Sequence, residues 1–542
     1  MFKLKEETQM LGRVSLFWSA VIALMLCPSS VSAQQRSCES LSGLKLTNVT
    51  IQSVKSTPAG EFAVPGEGPD QPPESFETPA FCRVQGVIKP TADSDVRFEV
   101  WIPSANWNGR FAGAGNGGFA GAINYGGLAV ALRAGFASAS TDTGHEAPGI
   151  DASWALGHPE KTADFGYRAI HLTAVAGKAI VAAFYGSSPK YSYFSSCSNG
   201  GREALMEAQR FPRDYNGIIA GAPANYWTHL MAEAMWDVQA MLNDPASYIP
   251  ASKIPAISNA VLAACDTQDG LKDSIVTDPR KCNFHPEKLL CKGTDTNACL
   301  TAPQITALKK LYAGPTLPNG ERIFPGHVPG GELGPNGWPG WITGPKPKDS
   351  AGFYFGTRFF ADMVFGDPAW DYMKFNLTSD VQLADKRMGP ILNATSPNLA
   401  AFNARGGKLI LYHGWSDAAI SPLNTINYYD SVLDAMGSQR AESFVRLYMV
   451  PGMQHCGGGP GPDSFGALPA SDADAQHSVF AAIEEWVEHG TAPDSIIATK
   501  YAARSDHAVE MTRPLCPYPE VAEYKGEGDL HDAANFVCKL KP

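Results

Sequence analysis

Tyr191-Ser192-Tyr193-Phe194-Ser195-Ser196-Cys197-Ser198-Asn199-Gly200-Gly201-Arg202 is the stretch on which the fold of this chain turns. Alternation up to Phe194 predicts a strand, the small residues after it a sharp turn, and 201–210 a helix that stops before Pro212. A strand, tight turn and helix start of this kind lifts one hydroxyl, that of Ser198, above a sheet edge. The turn departs from G-x-S-x-G at its first position, where Ser196 stands, so an ordinary serine-rich turn is the competing reading until other segments agree.

Two other segments do agree. Strand 408–412 runs into His413-Gly414-Trp415-Ser416-Asp417, and strand 444–449 runs into Val450-Pro451-Gly452-Met453-Gln454-His455. A carboxylate and then an imidazole thus follow two late strands, and the order Ser198, Asp417, His455 is that of an α/β-hydrolase. His455 is expected to take the Ser198 proton and return it to a leaving alcohol, with Asp417 fixing the imidazole tautomer. His413, near Asp417, and His145, after a Thr-Asp-Thr-Gly turn, are the rival bases. The oxyanion donors are expected to be the N–H of Asn199 and that of Gly118, in the loop Gly113-Ala114-Gly115-Asn116-Gly117-Gly118-Phe119. A flexible turn or phosphate loop is the alternative for that loop, but its spacing matches no Walker or Rossmann fingerprint.

Reading outward, strands at 98–102, 136–140 and 218–220 alternate with helical stretches at 128–134 and 163–185, and a glycine-rich loop covers 109–127. Val479, Phe480, Ile483, Trp486 and Val487 recur at helical spacing near the end. Strands alternating with helices predict an α/β fold with a largely parallel sheet covered on both faces. Residues 227–398 break this rhythm with Pro-Gly turns, four cysteines, and eleven aromatics between Trp338 and Phe375. They are read as a lid inserted into a hydrolase core made of 34–226 and 399–542. Most of these rings would form the lid's own core, and some would wall a substrate pocket.

The N-terminus bears on the redox state. Lys3, Lys5 and Arg13 precede an apolar run over 14–26, and Val31-Ser32-Ala33 has the pattern of a leader-peptidase site, so 1–33 is read as a signal peptide. Lipidation at Cys27 is the alternative, although Leu26 is larger than the residue expected there. The expected destination is secreted or periplasmic. Of eleven cysteines, ten lie beyond Cys27, an even number that favours five disulfides in an exported chain. Local pairing gives Cys38–Cys82, Cys265–Cys282, Cys291–Cys299 and Cys516–Cys538, which leaves Cys197–Cys456. That last bridge would set Ser198 next to His455. Zinc is the weaker reading, since no close C-x-x-C pair occurs.

At 542 residues with 44% hydrophobic content, the chain has ample material for a core. A formal charge of −11 and the lack of a Lys/Arg cluster argue against nucleic acid or an anionic membrane as partner.

With these residues in view, the chain resembles the tannase and feruloyl esterase family. The resemblance rests on Cys197-Ser198-Asn199-Gly200-Gly201-Arg202-Glu203-Ala204, Ala220-Gly221-Ala222-Pro223, Tyr412-His413-Gly414-Trp415-Ser416-Asp417, Pro451-Gly452-Met453-Gln454-His455-Cys456 and Arg513-Pro514-Leu515-Cys516-Pro517-Tyr518-Pro519. It implies a lidded α/β-hydrolase that cleaves small esters of aromatic acids through a serine acyl-enzyme, with a disulfide joining the outer cysteines of the motif. It also implies a structural Ca2+ in the lid, held by Asp266, Asp269 and Asp273 with the carbonyls of Leu271 and Ile275. Without the resemblance, that segment reads as a solvated acidic turn, because its spacing is not that of an EF-hand.

Hydroxycinnamate (feruloyl-type) esters are the first substrate expectation and galloyl esters the second. In the branch of the family that hydrolyses a terephthalate monoester, a lid arginine is expected to meet the free carboxylate. Here Pro347-Lys348-Asp349-Ser350-Ala351-Gly352-Phe353 puts Asp349 near that position, leaving Lys348 and Arg358 as alternative cations. From another functional class, a secreted binding protein on a disabled hydrolase fold is the competing reading, opposed by the intact triad.

Overall fold

The computed structural model describes residues 36–66, 72–334, 336–502 and 508–540. The leader read at 1–33 lies outside the described residues. A nine-stranded sheet organises the chain: β1 (Val49–Thr57), β2 (Phe81–Ile88), β3 (Val96–Pro103), β4 (Arg110–Ala114), β5 (Ala137–Thr141), β6 (Tyr191–Cys197), β7 (Gly217–Gly221), β8 (Lys408–Gly414) and β9 (Val445–Val450). Their spatial order is β1-β2-β3-β5-β4-β6-β7-β8-β9. From β5 through β4 to β9 every pair is parallel, as the alternation of strands and helices predicts.

The other end of the sheet differs from the expectation of a largely parallel array. β1, β2, β3 and β5 pair antiparallel, so the sheet is mixed. No helix separates β1, β2 and β3 in sequence, so neighbouring strands reverse direction as hairpins do, without the helical crossover a parallel pair requires.

The helices α1 (Tyr125–Arg133), α2 (Ala169–Tyr185), α3 (Asn199–Arg210), α4 (Trp227–Leu242), α5 (Ile254–Cys265), α6 (Ala351–Arg358), α7 (Pro422–Met436) and α8 (Val479–His489) include those that cover the sheet. β7 and β8 bury nearly every side chain, and β6 the middle of its length from Ser192 to Ser195, as expected of strands covered on both faces. One core cluster holds Phe111, Phe194, Ile218, Leu409 and Leu447 against α2 and α7, and a second packs Tyr193, Ile219, Ile410 and Tyr448 against Ile483 and Trp486 of α8.

β7 and β8 are adjacent in the sheet, yet α4, α5 and α6 lie between them in sequence. The inserted segment packs Trp227, Met235, Phe359, Phe360 and Phe375 into one cluster, shared with Phe119 and Phe165 from outside it, and Ile257, Val261, Leu308 and Trp338 into another. Phe359, Phe360, Phe375 and Trp338 therefore follow the plain reading of the aromatic-rich stretch. All five expected disulfides are present, including Cys197–Cys456 across a sequence separation of 259. Among the described residues, no helix is long and apolar enough to cross a membrane.

Candidate active site

Cys197 ends β6 opposite Gly221 of β7, and Tyr412 pairs with Gly221 from the other side. Ser198, Asp417 and His455 then follow the C-terminal ends of β6, β8 and β9, where the crevices of an open parallel sheet lie. The chain turns abruptly at Ser198, with φ 66° and ψ −123°, a region that costs a non-glycine residue energy and is held by its surroundings. The Ser198 N–H donates to the Gly221 carbonyl, and the Ser198 carbonyl accepts from Ala224 and Arg202. Ser196 at the first motif position is accommodated because Gly200 follows one turn later: a Cβ there would lie 1.8 Å from Ser196 Oγ.

His455 lies between the other two residues. Its Nδ1 is 2.8 Å from Asp417 Oδ2 and its Nε2 3.0 Å from Ser198 Oγ. A carboxylate only accepts, so Nδ1 carries the proton and the Ser198 hydroxyl donates to Nε2. The Cys197–Cys456 bridge joins the residue before Ser198 to the residue after His455, with 5.9 Å between Cα atoms. Lid residues hold the same loop: Gln454 Nε2 donates to the Leu333 carbonyl, and the Asn336 N–H donates to Gln454 Oε1.

Asp417 is buried and fully engaged. Its Oδ1 accepts from the N–H groups of Ala419 and Ile420, and its Oδ2 also lies 3.1 Å from His413 Nε2. Burial pushes this carboxyl up, but the charge of His455 and the hydrogen bonds from His413 and His455 outweigh it, holding Asp417 below the usual carboxylate range. His413 is thus a second imidazole on the same carboxylate. Its Nε2 also faces the Ile420 carbonyl, and Thr425 Oγ1 donates to its Nδ1. The other rival, His145, stacks on Trp154 at 3.7 Å with Nε2 2.9 Å from the Phe119 carbonyl, and burial pushes it down to about 3. It stays neutral and holds the glycine loop.

Gly118 and Asn199 both border the cavity at Ser198. Gly118 has φ +55°, and a Cβ on it would meet the Gly149 carbonyl oxygen at 2.3 Å, so only glycine fits there. Asn199 opens α3, where the first N–H groups have no helical acceptor and the helix dipole is positive.

The sequence reading missed what joins these two segments. Glu203 Oε2 accepts from the Asn116 N–H at 2.9 Å, and Oε1 accepts from Asn199 Nδ2 at 3.1 Å. One buried carboxyl therefore clamps the glycine loop to the serine turn, and burial pushes it up to about 7. Arg202, fully buried between the rings of Phe165 and Trp227, donates to Asn199 Oδ1 and to the Phe165 and Gly166 carbonyls. A Glu and an Arg on the inner face of a helix that starts at the serine were the signal available.

The cavity at Ser198 has a volume of about 80 Å3. Trp227, Trp341 and Phe355 are its aromatic walls. Trp341 stacks near-parallel to Phe355 at 6.2 Å and meets His455 edge-on at 5.0 Å. The cavity lining contains no Lys or Arg among the described residues, whereas Glu233 and Asp237 are part of it. Asp349, Lys348 and Arg358 stand outside it: Asp349 accepts from Tyr354, Lys348 lies over the Tyr372 ring, and Arg358 faces Asp362.

The segment read as a calcium loop lies in the insertion, closed by Cys265–Cys282. Asp266 Oδ1 accepts from the N–H groups of Asp273 and Ser274, Asp269 from Leu271 N–H and Thr277, and Asp273 from Ile275 N–H and Arg513. Burial and the neighbouring Asp269 charge push Asp273 up, partly offset by Arg513. The three carboxylates do not converge on one point within 4.8 Å. The described groups of three that do are Cys291, Asp295 and Cys299, two of them in a disulfide, and His171, Glu207 and Asp214. In chemistry the loop still suits a hard cation: oxygen donors only, partly buried, with Arg513 pairing just one of the three carboxylates.

The tannase and feruloyl esterase family model matches residues 82–539. The chain belongs to that family. Family relatives include an uncharacterized esterase of Xanthomonas campestris, 45% identical over 98% of this chain and 95% of its own. A mono(2-hydroxyethyl) terephthalate hydrolase of Piscinibacter sakaiensis is 36% identical over 86% of this chain and 85% of its own. The crystal structure of feruloyl esterase B from Aspergillus oryzae superposes with a TM-score of 0.84 at 30% identity, over 93% of this chain and 99% of that one. The fold is the α/β-hydrolase fold, and as a member of this family the chain is a carboxylic ester hydrolase.

Proposed function

We propose that the chain is a serine esterase acting on esters of aromatic acids, hydroxycinnamates first, through an acyl-enzyme. The observation that carries this is the Ser198–His455–Asp417 relay at the mouth of a cavity walled by Trp227, Trp341 and Phe355. Ser198 Oγ attacks the ester carbonyl carbon as its proton passes to His455 Nε2. The carbonyl oxygen takes up the electron pair, and the N–H groups of Gly118 and Asn199 receive it. Collapse expels the alcohol, protonated by His455, and leaves the acyl group on Ser198. Water then repeats the sequence and releases the acid. Asp417, held ionised, stabilises the imidazolium in both halves.

The flat walls suit an aryl acyl group. Mono(2-hydroxyethyl) terephthalate ends in a carboxylate, for which the lining offers Glu233 and Asp237 in place of a lysine or arginine. Galloyl esters remain the second reading, being aromatic and uncharged. Export is part of the proposal, supported by the leader pattern at 1–33 and five disulfides. So is a structural Ca2+ held by Asp266, Asp269 and Asp273 with the carbonyls of Leu271 and Ile275.

The test compares methyl ferulate, methyl gallate and mono(2-hydroxyethyl) terephthalate with wild type and Ser198→Ala. Ferulate release by wild type and its loss in the variant are expected. A variant that keeps its rate rules out the serine mechanism, and a wild type inert on all three favours a binding protein on this fold.

A further inference from the structure

Glu233 and Asp237 lie one turn apart on α4, and His327 joins them from a separate part of the insertion; all three border the cavity at Ser198. None of them is used by the mechanism above. His327 Nε2 lies 2.7 Å from Asp237 Oδ2 and 3.9 Å from Glu233 Oε1. Glu233 is 1% exposed, Asp237 6% and His327 5%. Even so, both Glu233 oxygens, Asp237 Oδ1 and His327 Nδ1 have no hydrogen-bond partner within the protein. Buried polar atoms are nearly always satisfied, and four orphans in one cluster beside a substrate cavity point to a ligand that completes them.

The charge state follows from the surroundings. Burial pushes the Glu233 carboxyl well up, His327 opposes this, and Asp237 and Asp417 add to it, a shift toward the protonated acid. Burial would push His327 down, but the Asp237 carboxylate hydrogen-bonded to it outweighs this and holds it up. The wall thus presents His327 paired with Asp237 and, beside them, a carboxyl group with both oxygens unpartnered, which in its protonated form offers one donor and one acceptor.

We propose that Glu233, set in place by the Asp237–His327 pair, is the specificity-determining group of the acyl pocket and hydrogen-bonds a phenolic hydroxyl on the acyl ring. A phenol carries the complementary pair: its O–H donates to the Glu233 carbonyl oxygen, and the Glu233 O–H donates back to the phenol or an adjacent methoxy oxygen. An acyl group ending in a carboxylate instead meets Asp237. The inference rests on the aryl-esterase reading and narrows its substrate to hydroxylated rings.

The experiment compares kcat/KM for methyl 4-hydroxycinnamate and its apolar isostere methyl 4-methylcinnamate at neutral pH. Wild type is expected to favour the hydroxyl by about tenfold or more, because a site built for a hydroxyl is left unpaired by the methyl. Glu233→Leu brings the ratio to about one, and Glu233→Gln, which keeps a donor and an acceptor, restores most of the preference. A wild-type ratio near one overturns the inference without needing any variant to fold, and leaves the esterase reading intact if both esters are cleaved. A folded Glu233→Leu that keeps the wild-type ratio also overturns it. If wild type cleaves neither ester, this inference and the aryl-ester reading fall together.

Discussion

At Ser198 the backbone is held in a costly conformation by hydrogen bonds with Gly221 of β7, Ala224 just after it and Arg202 of α3, and that rigidity fixes the hydroxyl 3.0 Å from His455. Asp417→Asn keeps the shape but removes the charge that fixes the tautomer, so kcat is expected to fall by about 10^4 with little change in KM, measured by steady-state hydrolysis of methyl ferulate. Glu203→Gln puts an amide where two donors converge, and one of them loses its acceptor. Its kcat is expected to drop about tenfold while KM holds; a fall in thermal stability alone would assign Glu203 a merely structural role. The pH dependence of stability follows from Asp417. Its folded pKa lies below the unfolded value of about 3.9, so its contribution is fully present above about pH 4 and is lost as pH falls below that. Urea denaturation of wild type against Asp417→Asn should show a gap at neutral pH that closes in acid. The triad residues were legible because each closes a strand with a chemically loaded loop. Glu203 was not, and His413 was read only as a rival base, because their roles depend on which groups the fold turns toward them.

Among the elements, the bridge between the β6 turn and the β9 loop was readable from cysteine parity and local pairing. With Cys197 and Cys456 both replaced by serine, the His455 loop keeps Gln454 on Leu333 but loses its tie to the nucleophile turn. Activity is expected to fall at least tenfold, with a thermal midpoint several degrees lower, given the ~5 kcal/mol that closing so long a loop contributes to stability. Equal activity in the reduced and oxidised protein would remove the bridge from the site. For the calcium loop, chelation is expected to lower the thermal midpoint and added Ca2+ to restore it, an effect abolished in Asp266→Asn; a midpoint indifferent to both rejects the ion. The antiparallel strands β1 and β2 escaped the sequence reading because it began its strand count at β3. The pair on α4 left a trace, two carboxylates inside a helix otherwise rich in Trp, Leu and Met, but its partner His327 comes from far along the chain and only the fold brings it there.

For the molecule as a whole, the parallel half of the sheet brings three loops to one edge, and the insertion between β7 and β8 supplies the aromatic walls. From β3 onward the strands read from the sequence agree with their periodicity, because buried parallel strands are apolar throughout; β4 (Arg110–Ala114) is the exception, read as the start of the glycine-rich loop 109–127 because its Arg, Ala and Gly give too weak an apolar signal. The course of the insertion was opaque, being short helices and loops whose packing is set by disulfides and aromatic contacts. With no Lys or Arg in the lining and His327 already paired with Asp237, kcat/KM for methyl ferulate is expected to exceed that for mono(2-hydroxyethyl) terephthalate by at least about a hundredfold, read by product release. The most direct measurement acid-quenches the enzyme during turnover of methyl ferulate and determines the mass of the peptide bearing Ser198. A feruloyl adduct on that serine is predicted, absent in Ser198→Ala; turnover with the serine never acylated would contradict the mechanism.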